Sequence, residues 1–210
     1  MFSAYVLNHN IAPGVSDFKS ADIPDAAQFS KESTHWVGNF FLNCTFRGAF
    51  QPPMHAYAYN YLRRAQQAFA EHQIARERTM AFLQASRHSP TLYVEALYHW
   101  ECFLGQAWHA FAMLVKAWDG KAFEKGDGSV EQRLNALYNQ MKHVESRIEN
   151  GQIPPESPVP VWLENEGIRS IDTHLSFKET ADVLRELAKY ADALVDPKTA
   201  NEKLDASDAP

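Results

Sequence analysis

Two long stretches with a helical period, separated by a very short turn, dominate this chain of 210 residues. Across residues 54–86, apolar side chains recur at spacings of three and four, which predicts a long helix. Residues 91–118 form the most apolar long stretch and carry hydrophobic side chains on more than one face, as a central core helix does. Ser89 can cap this second helix, and Pro90 suits its first position. We therefore predict two long helices within an up-and-down all-α bundle.

Two further helices are predicted on either side of this pair. An apolar run predicts a helix over residues 25–44, and the Gln-Pro-Pro sequence at residues 51–53 prevents its continuation. After the long pair, Ser129 can cap a helix over residues 130–150, which Gly151 closes. In this helix the apolar positions alternate at spacings of four and three, so one face is expected to be buried.

A small β-hairpin is predicted before the last helix. Residues 161–175 have the pattern of two short strands around an Asn-Glu-Gly turn. The last helix is predicted over residues 177–194, because Ser176 and Glu179 match a capping box. The expected fold is therefore an all-α bundle of about five helices with a small β-hairpin before the last one.

The length of the chain suits one compact domain with loose ends. Residues 1–24 contain Pro13-Gly14 and no sustained period, so we expect an irregular N-terminal arm. Residues 25–196 are expected to form the helical bundle domain. The tail over residues 197–210 follows the last apolar positions and is expected to be disordered.

Charge and motifs exclude several classes of function. The formal net charge of −6 gives no general attraction for a polyanion, so we expect no binding to DNA. The short basic runs at residues 63–64 and 76–78 are interpreted as solvated helix faces. The chain has no Gly-x-Ser-x-Gly motif, phosphate-binding loop or dinucleotide-binding glycine motif.

The cysteines and the N-terminus predict a compartment. Cys44 and Cys102 lie far apart in apolar surroundings, which is typical of buried thiols in a reducing environment. The first residues lack the pattern of a secretory signal, and no stretch approaches ~20 apolar residues. We therefore expect a cytoplasmic protein that does not enter a membrane.

A row of polar side chains on the second long helix has residue types that can bind metals. Its members lie at alternating intervals of four and three: Glu95, His99, Cys102, Gln106 and His109. Carboxylate-bridged bundles repeat a Glu-x-x-His pair on two helices, and this chain does not repeat one. We therefore interpret the row as polar groups that satisfy one another at a seam between helices, and we expect no metal and no cofactor. A metal- or small-molecule-binding four-helix bundle that uses Glu95, His99 and His109 stays as an alternative.

A second polar row lies on the helix predicted after Ser129. Asn135, Asn139 and His143 are each four residues apart, beside the apolar face and not on it. A histidine can act as a general acid or base, and neighbouring Asn, Lys142 and Arg147 side chains can orient a phosphate. That combination is the chemistry of a metal-independent ribonuclease. A solvated polar flank of an amphipathic helix is the plainer interpretation.

The same segment carries a family resemblance. The sequence Leu-Tyr-Asn-Gln-Met-Lys-His-Val-Glu at residues 137–145 resembles the Tyr-Asn-x-x-Lys-His core of proteins in the HEPN (higher eukaryotes and prokaryotes nucleotide-binding) superfamily. Residues 161–168 and the closing helix resemble the downstream part of HEPN-like bacterial proteins. The likeness covers roughly residues 129–195.

The resemblance implies a small helical bundle that forms a homodimer. Many family members are ribonucleases of toxin or anti-phage systems, and the resemblance assigns Asn139 to the family's polar position and His143 to its histidine, with Asn135 in support. The family's arginine position is occupied by Tyr138, which has no charge. The implied function is therefore a catalytically degenerate module that binds a nucleotide or a partner, or that serves as a scaffold. The alternative is an active endoribonuclease on RNA, with phosphate contacts from the basic side chains Lys142, Arg147 and Arg133.

Overall fold

The protein is a helical bundle with a small antiparallel sheet. The computed structural model describes residues 3–85, 89–153 and 157–196, and within these ranges it contains seven helices and three strands. The helices are α1 (Ala4–Asn10), α2 (Trp36–Phe40), α3 (Met54–Gln84), α4 (Pro90–Trp118), α5 (Val130–Lys142), α6 (Val144–Glu149) and α7 (Phe177–Leu194). The strands are β1 (Trp162–Glu164), β2 (Gly167–Arg169) and β3 (His174–Ser176). The predicted fold class is confirmed. No helix in the described ranges is long and apolar enough to cross a bilayer.

Helices α3 and α4 pack against each other along their lengths as an antiparallel pair. Arg64 of α3 donates to Gln106 of α4, whereas Glu71, two turns later, meets His99, two turns earlier. Ser89 caps α4 by accepting the backbone N–H of Leu92, as its sequence predicted. The buried positions of these two helices include many alanines, whose small side chains allow close packing: Ala58, Ala65, Ala68, Ala75, Ala96, Ala107 and Ala110.

The sheet before α7 has one strand more than the predicted hairpin. Strands β1, β2 and β3 pair in sequence order, and Ile168 in the middle of β2 lies opposite Leu163 and Leu175. Gly167 is required by close packing, since a Cβ there would collide with the carbonyl oxygen of Leu175. The N–H of Phe177 donates to the carbonyl of Glu166 at 2.9 Å, so the first residue of α7 is tied to the β1–β2 turn.

The N-terminal segment differs from the irregular arm predicted for residues 1–24. Ser3 caps α1 by accepting the backbone N–H of Val6 at 3.3 Å, and this one local cap supports a two-turn helix whose buried side chain is Leu7. Beyond α1 the chain enters the core, where Val15 and Phe18 are each 1% exposed. The tail predicted to be disordered, residues 197–210, lies outside the described residues.

The helix predicted over residues 25–44 is wrong in its first half. The chain makes a single 3₁₀ turn at Ala26–Gln28, and α2 begins only at Trp36 before continuing as a π-helical turn over Phe41–Thr45. Between them, Ser30 accepts the N–H of Glu32 at 3.1 Å, and the Ser33 hydroxyl donates to the Ser30 carbonyl. Such side-chain bonds compete with helical hydrogen bonding.

The single helix predicted over residues 130–150 is also wrong, because it breaks at His143. Helix α5 ends at Lys142, and His143 has φ −116° and ψ 28° before α6 begins. None of the six residues of α6, all of them described, is buried, and Ile148 is 61% exposed. Helix α6 therefore packs on the body only through half-buried side chains such as Val144 and Arg147, whereas α5 contributes fully buried ones.

Arg133 joins α5 to the sheet and to the start of α7. Its guanidinium group donates to both carboxylate oxygens of Glu179 and to the carbonyl of His174. Glu179 also accepts the N–H of Ser176 at 2.9 Å, which completes the predicted capping box. Burial opposes ionisation of Glu179, but the hydrogen bonds from Arg133 and Ser176 outweigh it and lower the pKa of the carboxyl to about 2.

We predict that Arg133→Gln lowers the free energy of unfolding by about 1–3 kcal/mol, because Glu179 loses its bidentate partner in a site that is largely shielded from water. Arg169→Gln is the matched control, since Arg169 pairs with Glu164 at 3.4 Å with both side chains more exposed. That variant should change stability by less than about 1 kcal/mol. Urea unfolding at neutral pH measures both, and equal losses in the two variants would contradict the assigned role.

His72 lies in the centre of the core with no exposed surface. The Thr180 hydroxyl donates to the carbonyl of Phe177, so His72 Nε2 donates its proton to Thr180 Oγ1 at 3.0 Å. His72 Nδ1 has no hydrogen-bond partner among the described residues, and the ring packs edge-on against Trp100 and Phe103. Burial, with a smaller contribution from the charge of Arg76, lowers the pKa of His72 from 6.5 to about 4.

We predict that His72 makes the fold sensitive to acid between pH 6.5 and about 4. In this window the unfolded chain takes up a proton that the folded chain does not. The free energy of unfolding therefore decreases as the pH is lowered, by about 3 kcal/mol over the whole window. Unfolding measured at several pH values should show a shallower decline for His72→Gln than for the wild type. The same substitution at the exposed His35 controls for the loss of one histidine, and identical slopes for His72→Gln and the wild type would refute the prediction.

Candidate binding site

The polar row predicted on the helix after Ser129 is brought together only in part. Asn139 Nδ2 donates to Asn135 Oδ1 at 3.1 Å, and both side chains are half-buried. His143 is exposed at the end of α5, and its ring makes no hydrogen bond with any described residue. Of the three side chains expected to act together, only the two amides therefore bond each other, whereas His143 is joined to Asn139 through its backbone N–H.

The three basic residues expected to bind phosphate have different surroundings. Arg133 is engaged by Glu179 and by two backbone carbonyls, so its guanidinium is committed to the fold. Arg147 lies on α6, and its buried Nε atom has no partner among the described residues. Lys142 Nζ lies 6.0 Å from the centre of the Tyr138 ring. Of these three basic residues, Lys142 is thus the one whose side chain contacts another residue of the Tyr-Asn-x-x-Lys-His motif.

Tyr138 connects this motif to α4. A hydrogen bond of 3.2 Å joins Tyr138 Oη to His109 Nε2, and the two rings meet nearly at right angles with centroids 5.2 Å apart. One turn earlier on α4, Gln106 accepts a hydrogen bond of 2.8 Å from Arg64 of α3. Three helices therefore contribute to a single group of side chains, which we call the His109 cluster: Arg64, Gln106, His109, Tyr138 and Lys142.

The His109 cluster has a positive electrostatic character. Burial lowers the pKa of His109, and the positive charges of Arg64 and Lys142 lower it further. His109 is therefore neutral at pH 7, and because Nε2 is bonded to Tyr138, Nδ1 is the ring atom left for a ligand. Neither Arg64 nor Lys142 forms an ion pair with a described residue, so their charges are available to an incoming anion.

The metal-competent row on α4 is used for contacts between helices. His99 Nδ1 lies 2.8 Å from a carboxylate oxygen of Glu71, and Glu95 lies 3.7 Å from Arg78. With the bonds of Gln106 to Arg64 and of His109 to Tyr138, four of the five polar groups contact a side chain of a neighbouring helix. Within the described ranges, no three His, Cys, Asp or Glu side chains are placed to hold a metal ion.

No signal in the sequence indicates that Arg64 belongs to a site, and the spacing placed Gln106 only in the polar row of the second long helix. Arg64 was interpreted as part of a solvated helix face, and only the register of α3 against α4 brings it to Gln106. Comparison with protein-family models, curated proteins and solved structures finds no match for this chain. The candidate site therefore depends on the contacts described above.

We predict that Lys142→Gln raises the pKa of His109, because it removes one of the two cations that disfavour the protonated ring. An NMR titration that follows the imidazole Cε1–H signal measures the change directly. Lys116→Gln removes an exposed lysine from α4 and is the matched control. An unchanged His109 titration in the Lys142 variant would show that the two side chains are not electrostatically coupled.

Proposed function

We propose that this protein is a HEPN-like helical module that binds a nucleotide at the His109 cluster and has lost ribonuclease activity. The observation that carries the proposal is the geometry of this cluster. Tyr138 bonds His109 and has Lys142 Nζ 6.0 Å from its ring, and Arg64 bonds Gln106 one turn from His109. Neither cation has an ion-pair partner among the described residues. Such an arrangement suits a phosphate group, which both cations and the imidazole N–H can contact.

Neighbouring amides support a nucleotide over a simple phosphate. Asn139 follows Tyr138 in sequence, and its bond to Asn135 leaves Asn139 Oδ1 and Asn135 Nδ2 without a hydrogen-bond partner among the described residues. One acceptor and one donor side by side can pair with the edge of a base. The ligand would then contact α5 with its base and the His109 cluster with its phosphates.

Three contacts argue against the ribonuclease alternative. A general acid or base needs a partner that holds the scissile phosphate, and Arg133 is held instead by Glu179. Tyr138, at the family's arginine position, bonds His109. The backbone N–H of His143 donates to the Asn139 carbonyl at the end of α5, but its ring has no hydrogen-bond partner among the described residues to orient it for catalysis.

The proposal also includes a homodimer in the cytoplasm, as the family resemblance implies. Both cysteines of the chain are free thiols, which suits a reducing compartment. Sedimentation that gives only the monomer mass at all concentrations would contradict the dimer.

Binding and cleavage assays on the same preparations test the proposed function. Calorimetric titration with AMP, ADP and ATP should show binding to the wild type, and Arg64→Gln and Lys142→Gln should each weaken it about tenfold, because each removes a charge-assisted contact. Arg63→Gln is the matched control, since Arg63 neighbours Arg64 but is exposed. Wild type and His143→Ala should both leave single-stranded and structured RNA intact.

Two results would overturn this proposal. The absence of nucleotide binding, or equal binding by the Arg64 and Arg63 variants, would remove the assigned site. RNA cleavage by the wild type that is lost in His143→Ala would support the ribonuclease alternative instead.

A further inference from the structure

An open cleft lies between the C-terminal end of α4, the N-terminal part of α5 and the middle of α7. Its volume is about 340 Å³, which is enough for a small organic molecule. Helix α4 supplies an apolar wall from Phe111, Leu114 and Trp118. Phe111 belongs to the core, whereas Trp118 is 53% exposed. The cleft therefore combines a fixed hydrophobic floor with an accessible indole ring.

The charges that line this cleft are mainly negative. Glu131 lies in the first turn of α5 and Glu186 lies on α7, and neither forms an ion pair with a described residue. Among the described residues that line the cleft, Lys121 is the one cation, and its ammonium group is held by Glu124 at 2.9 Å. Two carboxylates thus line an apolar cavity without an ion-pair partner among the described residues.

We propose that this cleft binds a small organic cation, an amine or quaternary ammonium carried on an apolar or aromatic group. The apolar part would cover Phe111 and Leu114, and the cation would contact the two carboxylates and the face of the Trp118 ring. The ring of Tyr190, which also lines the cleft, already has Lys189 Nζ 5.6 Å from its centroid, so the cation–π contact is assigned to Trp118.

This inference is independent of the nucleotide site. The His109 cluster presents cations from α3 and α5 and selects an anion. The cleft presents carboxylates from α5 and α7 and selects the opposite charge. Substitutions in one place leave the residues of the other unchanged, so the two proposals can fail separately.

Three probes that share one skeleton test the charge preference. Calorimetric titration with 2-phenylethylammonium should give binding at least about tenfold tighter than with neutral 2-phenylethanol, and phenylacetate should bind more weakly than both. Quenching of Trp118 fluorescence by the cation reports the location of binding, and Trp118→Phe should abolish that signal. Added salt should weaken the cation and leave the alcohol nearly unchanged.

Charge-neutral variants connect the preference to the two carboxylates. Glu131→Gln and Glu186→Gln should each reduce the affinity for the cation, and the double variant should bind the cation no better than the alcohol. Glu145→Gln removes an exposed carboxylate from α6 and should bind as the wild type does. Circular dichroism verifies that each variant is folded. Equal affinity for the three probes, or no binding of the cation up to about 10 mM, would overturn the proposal.

Discussion

The close antiparallel contact between α3 and α4 is the constraint on which the other elements depend. Small side chains along both helices bring the backbones together, so larger neighbours have only one way to fit around them. Helix α7 is positioned on this pair by polar bonds as well as by apolar packing: the Tyr61 hydroxyl donates to the Leu187 carbonyl at 2.8 Å, and His72 bonds Thr180. The register of α3 against α4 also decides which polar residues meet at the seam.

A second organising feature is the way one arginine serves three elements. Arg133 extends from α5 to the last strand and the cap of α7, so an arginine that was expected to contact phosphate is used to hold the fold. The motif's tyrosine likewise reaches across to α4. Of the residues that resemble a catalytic centre in sequence, some thus make structural contacts, as Arg133 does with Glu179. Others, such as Tyr138, belong to the His109 cluster together with residues of α3 and α4.

Capping residues in the sequence correctly predicted where two of the helices begin. Ser89 with Pro90 marked the start of α4, and Ser176 with Glu179 marked the start of α7, because caps act within four residues. The break at His143 could not be predicted in this way, since the apolar spacing continues to Ile148 while burial stops with α5. The contact between Arg64 and Gln106 could not be predicted from the sequence, because 42 positions separate the two residues and only the register of α3 against α4 brings them together.

The break at His143 has a further consequence for how the protein opens. A helical segment with no buried residue has little to lose when its hydrogen bonds separate, so α6 belongs to the least protected part of the chain, whereas α5 is held by buried Leu134 and Leu137. Amide hydrogens on α6 can exchange with solvent through local fraying that leaves the bundle intact. The exposed His143 thus lies at the boundary between a helix anchored in the core and a segment that has few buried contacts to hold it.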